Sequence, residues 1–344
     1  MSRIGLLVLL LGCRTDSYQG PPSDHFDGER FFQPGVEEHK GFLAVLRWRI
    51  FGDRTDWPDA VANVEQPALP ESVQEGEVFV TFINHATLLI QLPGLNILTD
   101  PVWSDRVSPV SWAGPKRVRP PGLAFEKLPP IHAVLVSHNH YDHLDVPTLQ
   151  RLSREHKATI IVPLGDKVWL EKEGIDRLQQ VDWGHKQPLG AGVDMIFTPS
   201  QHWSARGLFD RNRSLWGSYL LQWAGKQIYF GGDTGYGPHF KAIQQAHGRI
   251  WLAMLPIGAY EPRWFMKQAH MNPEEAVQAH LDLQATRSLG IHYGSWQLTD
   301  EGIDEPVRAL DAALHQHTLP KEVFEPAVVG RTYRYRLDDF TRGG

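Results

Sequence analysis

The sequence predicts a four-layered αββα sandwich, and three observations lead to that class. Short β-rich runs begin at Val78 and fall into two series, each followed by segments of helical period. Several runs end in a His or Asp set in a turn. At 344 residues the chain can also bury one large core. Runs of strands followed by helices favour stacked sheets over a single doubly wound sheet.

Val78–Ile83, Thr87–Gln91 and Asn96–Thr99 read as consecutive strands, with turns at Asn84-His85 and Pro93-Gly94. Ala133–Ser137 is a fully apolar strand, Val146–Glu155 has helical period, and Thr159–Val162 returns to strand. Val193–Thr198, Ser218–Trp223 and Gln227–Phe230 form the second series. Phe240–His247 reads as a helix, Ile250–Pro256 and Ser288–His292 as strands, and Glu305–His315 as a helix. Between them Asn272-Pro273-Glu274-Glu275 opens a helix to about Asp282, with Asn at the cap, Pro first and Glu third.

Three segments follow along the chain: a leader over 1–13, an arm over 14–77, and the domain over 78–344. The apolar run Ile4–Leu11 is too short to span a bilayer and has the length of a secretory-signal core. It ends in Leu10-Leu11-Gly12-Cys13, similar to a lipobox, which predicts lipidation of Cys13 and a cell-envelope location held by that anchor. The alternative is an incidental cysteine on a cytoplasmic or peripheral membrane protein. Within the arm, Phe42, Leu43, Leu46, Trp48, Ile50 and Phe51 alternate with Lys40, Arg47 and Arg49. That pattern suits a basic amphipathic helix on a membrane surface, or an apolar helix packed on the domain. Trp57–Glu77, with three prolines, reads as a linker.

Composition narrows the function. A net charge of -6 with no basic stripe argues against nucleic acid as a partner. One cysteine excludes an internal disulfide and a four-cysteine zinc site. Seventeen histidines, several in tight clusters, suit a metalloenzyme. His138, His140, Asp142 and His143 come directly after a buried strand, where a rigid end can hold several ligands at fixed angles. Their spacing lets His138 and His140 face one cation while Asp142 and His143 turn to a second. His202, Asp233 and His292 each follow another strand, where such a sandwich gathers them on one edge. Imidazole and carboxylate donors without thiolate suit zinc, with iron or manganese as alternatives.

These motifs, in this order, resemble the metallo-β-lactamase superfamily. Within it, the chain is similar to the N-acylphosphatidylethanolamine-hydrolysing phospholipases D. Leu98-Thr99-Asp100-Pro101, Gly114-Pro115-Lys116-Arg117, Val134 to Asp145, Thr198 to Trp203 and Gly232 to Tyr236 carry the likeness. So does Pro256 to Lys267, which the superfamily at large does not share. The resemblance spans about residues 78–336. It implies two Zn2+ ions, one on His138, His140 and His202, the other on Asp142, His143 and His292, with Asp233 bridging. It makes Asp100 a carboxylate orienting a ligand histidine and places His270 near the substrate phosphate. Ala269 departs from the family, whose mammalian members carry an amide there.

Two such cations, roughly 3.5–4 Å apart, share a water and bring its pKa toward neutrality. The resemblance implies hydrolysis of N-acylphosphatidylethanolamine, or a related glycerophospholipid, to phosphatidic acid and an N-acylethanolamine. Asp142, Asp233, His270 and Tyr260 are the candidate catalytic residues, with His270 and Tyr260 as candidate proton donors to the leaving group. Tyr260 is otherwise core packing. Lys116, Arg117 and Arg263 are candidate phosphate contacts. Trp103, Trp112 and the segment Arg117–Gly122 are candidate walls of an apolar groove for phospholipid at a membrane surface, or a homodimer contact. The ligands alone leave a lactonase, a ribonuclease, another phosphodiesterase, or a non-catalytic metal-binding lipoprotein as alternatives.

Overall fold

The computed structural model describes residues 18–36 and 42–339, so the leader, Cys13 and residues 37–41 lie outside it. Its first sheet contains β1 (Glu77–Asn84), β2 (Thr87–Leu92), β3 (Leu95–Thr99), β4 (Ala133–Leu135), β5 (Thr159–Pro163) and β6 (Leu178–Val181). The second contains β7 (Lys186–Gly190), β8 (Val193–Thr198), β9 (Ser218–Trp223), β10 (Lys226–Phe230), β11 (Leu252–Pro256), β12 (Arg287–Ile291) and β13 (Phe324–Pro326). β14 (Thr332–Arg336) returns to the first sheet, pairing antiparallel with β1. The strand orders are β14-β1-β2-β3-β4-β5-β6 and β13-β12-β11-β10-β9-β8-β7.

Alternation along the strands produces the layers. In β4, Ala133 and Leu135 enter the core between the sheets, whereas Val134 faces the opposite way with Val136. The inter-sheet core joins Val80, Phe82 and Leu88 of one sheet to Phe197, Tyr219 and Met254 of the other. On the outer face of the first sheet, α2 (Val146–Arg151) and α3 (Lys167–Lys172) bury Leu149, Trp169 and Leu170. On the outer face of the second, α4 (His239–His247), α6 (Pro273–Asp282) and α7 (Glu305–Gln316) bury Phe240, Val277 and Leu310. Each side chain buried in this way contributes about 1.5–3 kcal/mol, an upper estimate. This is the expected αββα sandwich.

Several expectations shift in detail. The helix expected over Val146–Glu155 is α2 followed by a π-helical turn, Leu152–His156, ending at Lys157 in the left-handed region. α6 starts as anticipated: Asn272 accepts from the Glu275 N–H, and Glu275 accepts from the Asn272 N–H. A short helix, α5 (Arg263–Met266), lies within the segment Pro256 to Lys267. In the arm, α1 (Phe42–Phe51) packs by one side: Trp48 stacks on Phe265 at 5.2 Å and its indole N–H donates to Asp300. Val45, Leu46, Ile50 and Phe51 stay exposed. The stretch after it is tied to the domain by Val61 N–H to Val118 and by Trp57 to Glu301. No helix among the described residues is long and apolar enough to cross a membrane.

Candidate metal centre

The site is assembled at strand ends, and Asp100, just past β3, fixes its first half. It is fully buried, accepting from the Ser137 N–H at 2.7 Å and the Ser137 hydroxyl at 2.6 Å. Since that hydroxyl gives its proton to Asp100, it accepts from His138 Nδ1–H, 2.9 Å away. The lone pair of His138 is thereby placed on Nε2. Asp100 Oδ2 also lies 2.6 Å from His143 Nδ1, and His202 Nδ1 donates to the Ala269 carbonyl at 2.9 Å. In all three residues an outer acceptor takes the Nδ1 proton and leaves Nε2 free to bind a cation.

Those nitrogens converge. His138 Nε2 lies 2.8 Å from His140 Nδ1, His202 Nε2 lies 3.2 Å from that same atom, and His143 Nε2 lies 3.1 Å from His292 Nε2. Asp233, 2% exposed at the Gly-rich turn after β10, reaches both groups. Its Oδ2 is 3.7 Å from His202 Nε2 and 3.2 Å from His143 Nε2, while Oδ1 is 2.9 Å from His292 Nε2. Three groups of candidate donors result among the described residues: His138, His140, His202 and Asp233; His85, Asp142, His143 and His292; and Asp233, His270 and His292, which links the first two. Within each set the donor atoms lie within 4.8 Å of one another. Buried lone pairs crowded this closely repel unless a cation lies between them. The donor set therefore fits a two-metal centre, and its nitrogen and oxygen chemistry suits zinc without excluding other transition metals.

Electrostatics divides the two sets. Burial, and then the neighbouring imidazoles, push His138 and His202 well below the usual histidine range, and burial brings His140 down to about 3. His292 behaves oppositely: burial opposes its charge, yet Asp233 and Asp142 raise it to about 9. His143 is likewise pushed well up, against burial, by Asp233, Asp142 and Asp100. Asp142 and Asp233 sit well below the usual carboxylate range, because these histidines outweigh the cost of burial. The protein thus keeps two ionised carboxylates where cationic charge is wanted.

A cavity of about 380 Å³ opens over the donors, with His140, Asp142, Asp233 and His270 at its floor. Its walls are mainly apolar, including Trp48 of α1, Trp203, Phe265, Met266 and Leu298. One guanidinium, that of Arg211, stands in the wall and stacks on Trp203 at 4.2 Å. His270 Nδ1 lies 3.9 Å from Asp233 Oδ2, and burial brings His270 down to about 4. Arg263 closes the loop that carries it: Nη1 donates to the carbonyls of Tyr260 and His270, and Nη2 pairs with Glu275 at 2.7 Å.

Several sequence candidates fall elsewhere. Arg263 is committed to that loop and does not line the cavity. Arg117 is buried, lies over Trp296 at 4.1 Å, and donates to Val102 and Ser104, so it is a packing element and no phosphate contact. Lys116 is exposed and outside the lining. Trp103 packs edge-on to Phe125, and Trp112 points outward at 63% exposure; neither forms a wall. Tyr260 is also outside the lining, 4% exposed, with its hydroxyl pushed up by burial and by Glu305, Glu301 and Glu261. It is buried within the loop, its carbonyl accepting from Arg263. His85, Arg211 and Trp48 were missed as site residues. His85 had a usable signal, since it stands in a turn at a strand end, as the ligands do.

A family model described as a β-lactamase superfamily domain matches residues 95–293. The N-acyl-phosphatidylethanolamine-hydrolyzing phospholipase D 1 of Caenorhabditis elegans is 42% identical over 259 residues, covering 72% of this chain and 73% of the relative. The mitochondrial N-acyl-phosphatidylethanolamine-hydrolyzing phospholipase D of Saccharomyces cerevisiae is 36% identical over 270 residues, covering 75% of this chain and 58% of the relative. Among solved structures, the metallo hydrolase Igni18 of Ignicoccus hospitalis superposes with a TM-score of 0.58 at 19% identity, over 76% of this chain and 99% of that one. The last likeness concerns the fold; the first three also carry the sequence. The chain is a metal-dependent hydrolase of the metallo-β-lactamase superfamily, and within it belongs with the N-acylphosphatidylethanolamine-hydrolysing phospholipases D.

Proposed function

We propose that the protein is a phospholipase D-type phosphodiesterase that holds two zinc ions and cleaves N-acylphosphatidylethanolamine, or a related glycerophospholipid, to phosphatidic acid and an N-acylethanolamine. The observation that carries this reading is the pairing of two donor sets, joined by Asp233 of the first reaching His143 and His292 of the second, with an apolar-walled cavity beside them. The 42% identity to the nematode enzyme supports the substrate class. When bound, the two cations supply Lewis acidity toward the phosphoryl oxygens and a water activated near neutral pH. The rest is done by the chain's own side chains. Asp233 and Asp142 stay ionised and anchor the site. Trp48, Phe265 and Leu298 receive acyl chains and exclude water from the reacting phosphate. Arg211, in the wall, offers a guanidinium to an anionic lipid. His270, held near 4, is neutral at pH 7 and donates a hydrogen bond from its N–H without carrying a proton for the leaving alkoxide.

The membrane is part of the same proposal. The exposed side of α1, with Val45, Leu46, Ile50 and Phe51, adjoins the cavity wall that Val45 and Trp48 form, and suits contact with a lipid surface. A lipid at Cys13 would hold the enzyme there. Detergent partitioning of wild type and Cys13→Ala tests the anchor; unchanged partitioning would count against it.

The substrate test is mass spectrometry of mixed phospholipid vesicles incubated with the enzyme, with and without chelator. Chelator-sensitive release of N-acylethanolamine and phosphatidic acid is the expected result. Rapid lactone turnover with no phospholipid cleavage would replace this reading with another hydrolase of the superfamily.

A further inference from the structure

His85 belongs to neither the ligand set that the resemblance implies nor the cavity lining, yet it is built into the centre from every side. It occupies the turn between β1 and β2 at φ 45°, a left-handed conformation that ordinarily favours glycine or asparagine. Its backbone is tied twice: its N–H donates to Ser295 Oγ at 3.1 Å, and its carbonyl accepts from the His292 N–H at 2.7 Å. Its ring, 2% exposed, lies 3.8 Å from the His292 ring and meets Trp296 edge-on at 5.2 Å. Its Nε2 is 3.0 Å from Asp142 Oδ2. That is the carboxylate oxygen turned to the centre, 3.5 Å from both His143 Nε2 and His292 Nε2.

We propose that His85 is the positioning residue of the second cation site: its Nε2–H holds Asp142 Oδ2, and so fixes the carboxylate against His143 and His292. Nδ1 of His85 is buried without a hydrogen-bond partner, so a proton there would be an orphaned donor, whereas on Nε2 it is used. Nδ1 of His292 is unpartnered too, so the tautomer supports this reading and the place of Nε2 separates it from direct ligation. The nitrogens of His138, His140, His202, His143 and His292 that face the centre each lie 3.2 Å or less from a neighbouring ligand nitrogen. The partner of His85 Nε2 is instead the Asp142 oxygen. His85 therefore stands one atom behind the donors, as Asp100 stands behind His143.

The test compares His85→Asn with His85→Gln. Asparagine tolerates the left-handed turn but carries its amide where Nδ1 stood; the glutamine amide reaches the place of Nε2. Stepwise Co2+ binding by chelator competition, with the cobalt absorption spectrum, reads each site independently of any substrate. One binding step should weaken about 10- to 100-fold in His85→Asn, the other should keep the wild-type value, and His85→Gln should recover most of the loss with a wild-type spectrum. Equal weakening of both steps, or no weakening, would overturn the proposal. So would failure of His85→Gln to rescue with a changed spectrum, since that would make His85 a ligand. None of these outcomes depends on which lipid, if any, the enzyme cleaves.

Discussion

The two halves of the metal centre are built in different ways. Around His138, His140 and His202 the backbone is relaxed, and the rings are aimed by a hydroxyl and a carbonyl, Ser137 Oγ and Ala269 O. Around Asp142, His143 and His292 the aim comes from charge and from strained turns. Asp100 (φ 35°), His85 (φ 45°) and His292 (φ 65°) all lie in the left-handed region without being glycine, and no ligand of the first half does. Each such residue costs on the order of 1–2 kcal/mol. Packing and hydrogen bonds must hold the second half in place, so it is the more easily lost of the two.

The shared residue should be the most sensitive. Asp233→Asn keeps the shape but removes the charge that serves both halves, and hydrolysis should fall by more than about 100-fold, beyond the range typical of outer partners, while circular dichroism stays native. A variant with near-normal turnover would break the idea of a shared carboxylate. Asp100→Asn comes next. It leaves His143 directly, and His138 through Ser137, less well oriented. The second-half metal should therefore bind about 10- to 100-fold more weakly and the first-half metal weaken less; weakening of the first half alone would deny the division into halves.

The pH dependence of binding should sharpen the contrast. In the metal-free protein His292 is protonated below about 9, and a cation must displace that proton. Affinity at the second site should fall as pH drops below about 9, by up to about tenfold per unit for each proton displaced. His138, His140 and His202 are already neutral across that range, so affinity at the first site should be nearly flat from pH 9 to pH 7. Two equally steep profiles, measured by chelator competition, would contradict the asymmetry. The smallest effect belongs to Arg263→Gln. It loosens the loop holding His270 while leaving every ligand in place, so turnover should drop by less than about tenfold, within the ~100-fold that a 1 Å displacement can cost, with metal content unchanged.

How much of this was legible in the sequence follows from the same physics. Every strand with a neighbour on both sides announced itself as an apolar run, and the four missed, β6, β7, β13 and β14, are the edges of the two sheets. An edge strand has one partner and much solvent. Lys186–Gly190 alternates exposed with half-buried residues and contains Pro188, and Leu178–Val181 turns Gln179 and Gln180 outward. The ligands were legible because cation chemistry restricts residue types and strand ends restrict spacing. Basic residues were misplaced because a guanidinium has many uses: Arg117 found Trp296 and Arg263 found Glu275, while Arg211, in an unremarkable loop, reached the cavity. Trp48 was read on its helix, but only tertiary packing brings α1 against Phe265 and makes the arm a wall of the site.

The centre has two unequal halves joined by Asp233. Its most direct test is the metal content of the purified protein after zinc reconstitution, measured by elemental analysis against chain concentration while a chelator is titrated in. Close to two ions per chain, leaving in two separable steps, is the predicted result. One ion or none, or two ions lost in a single step from equivalent sites, would contradict it.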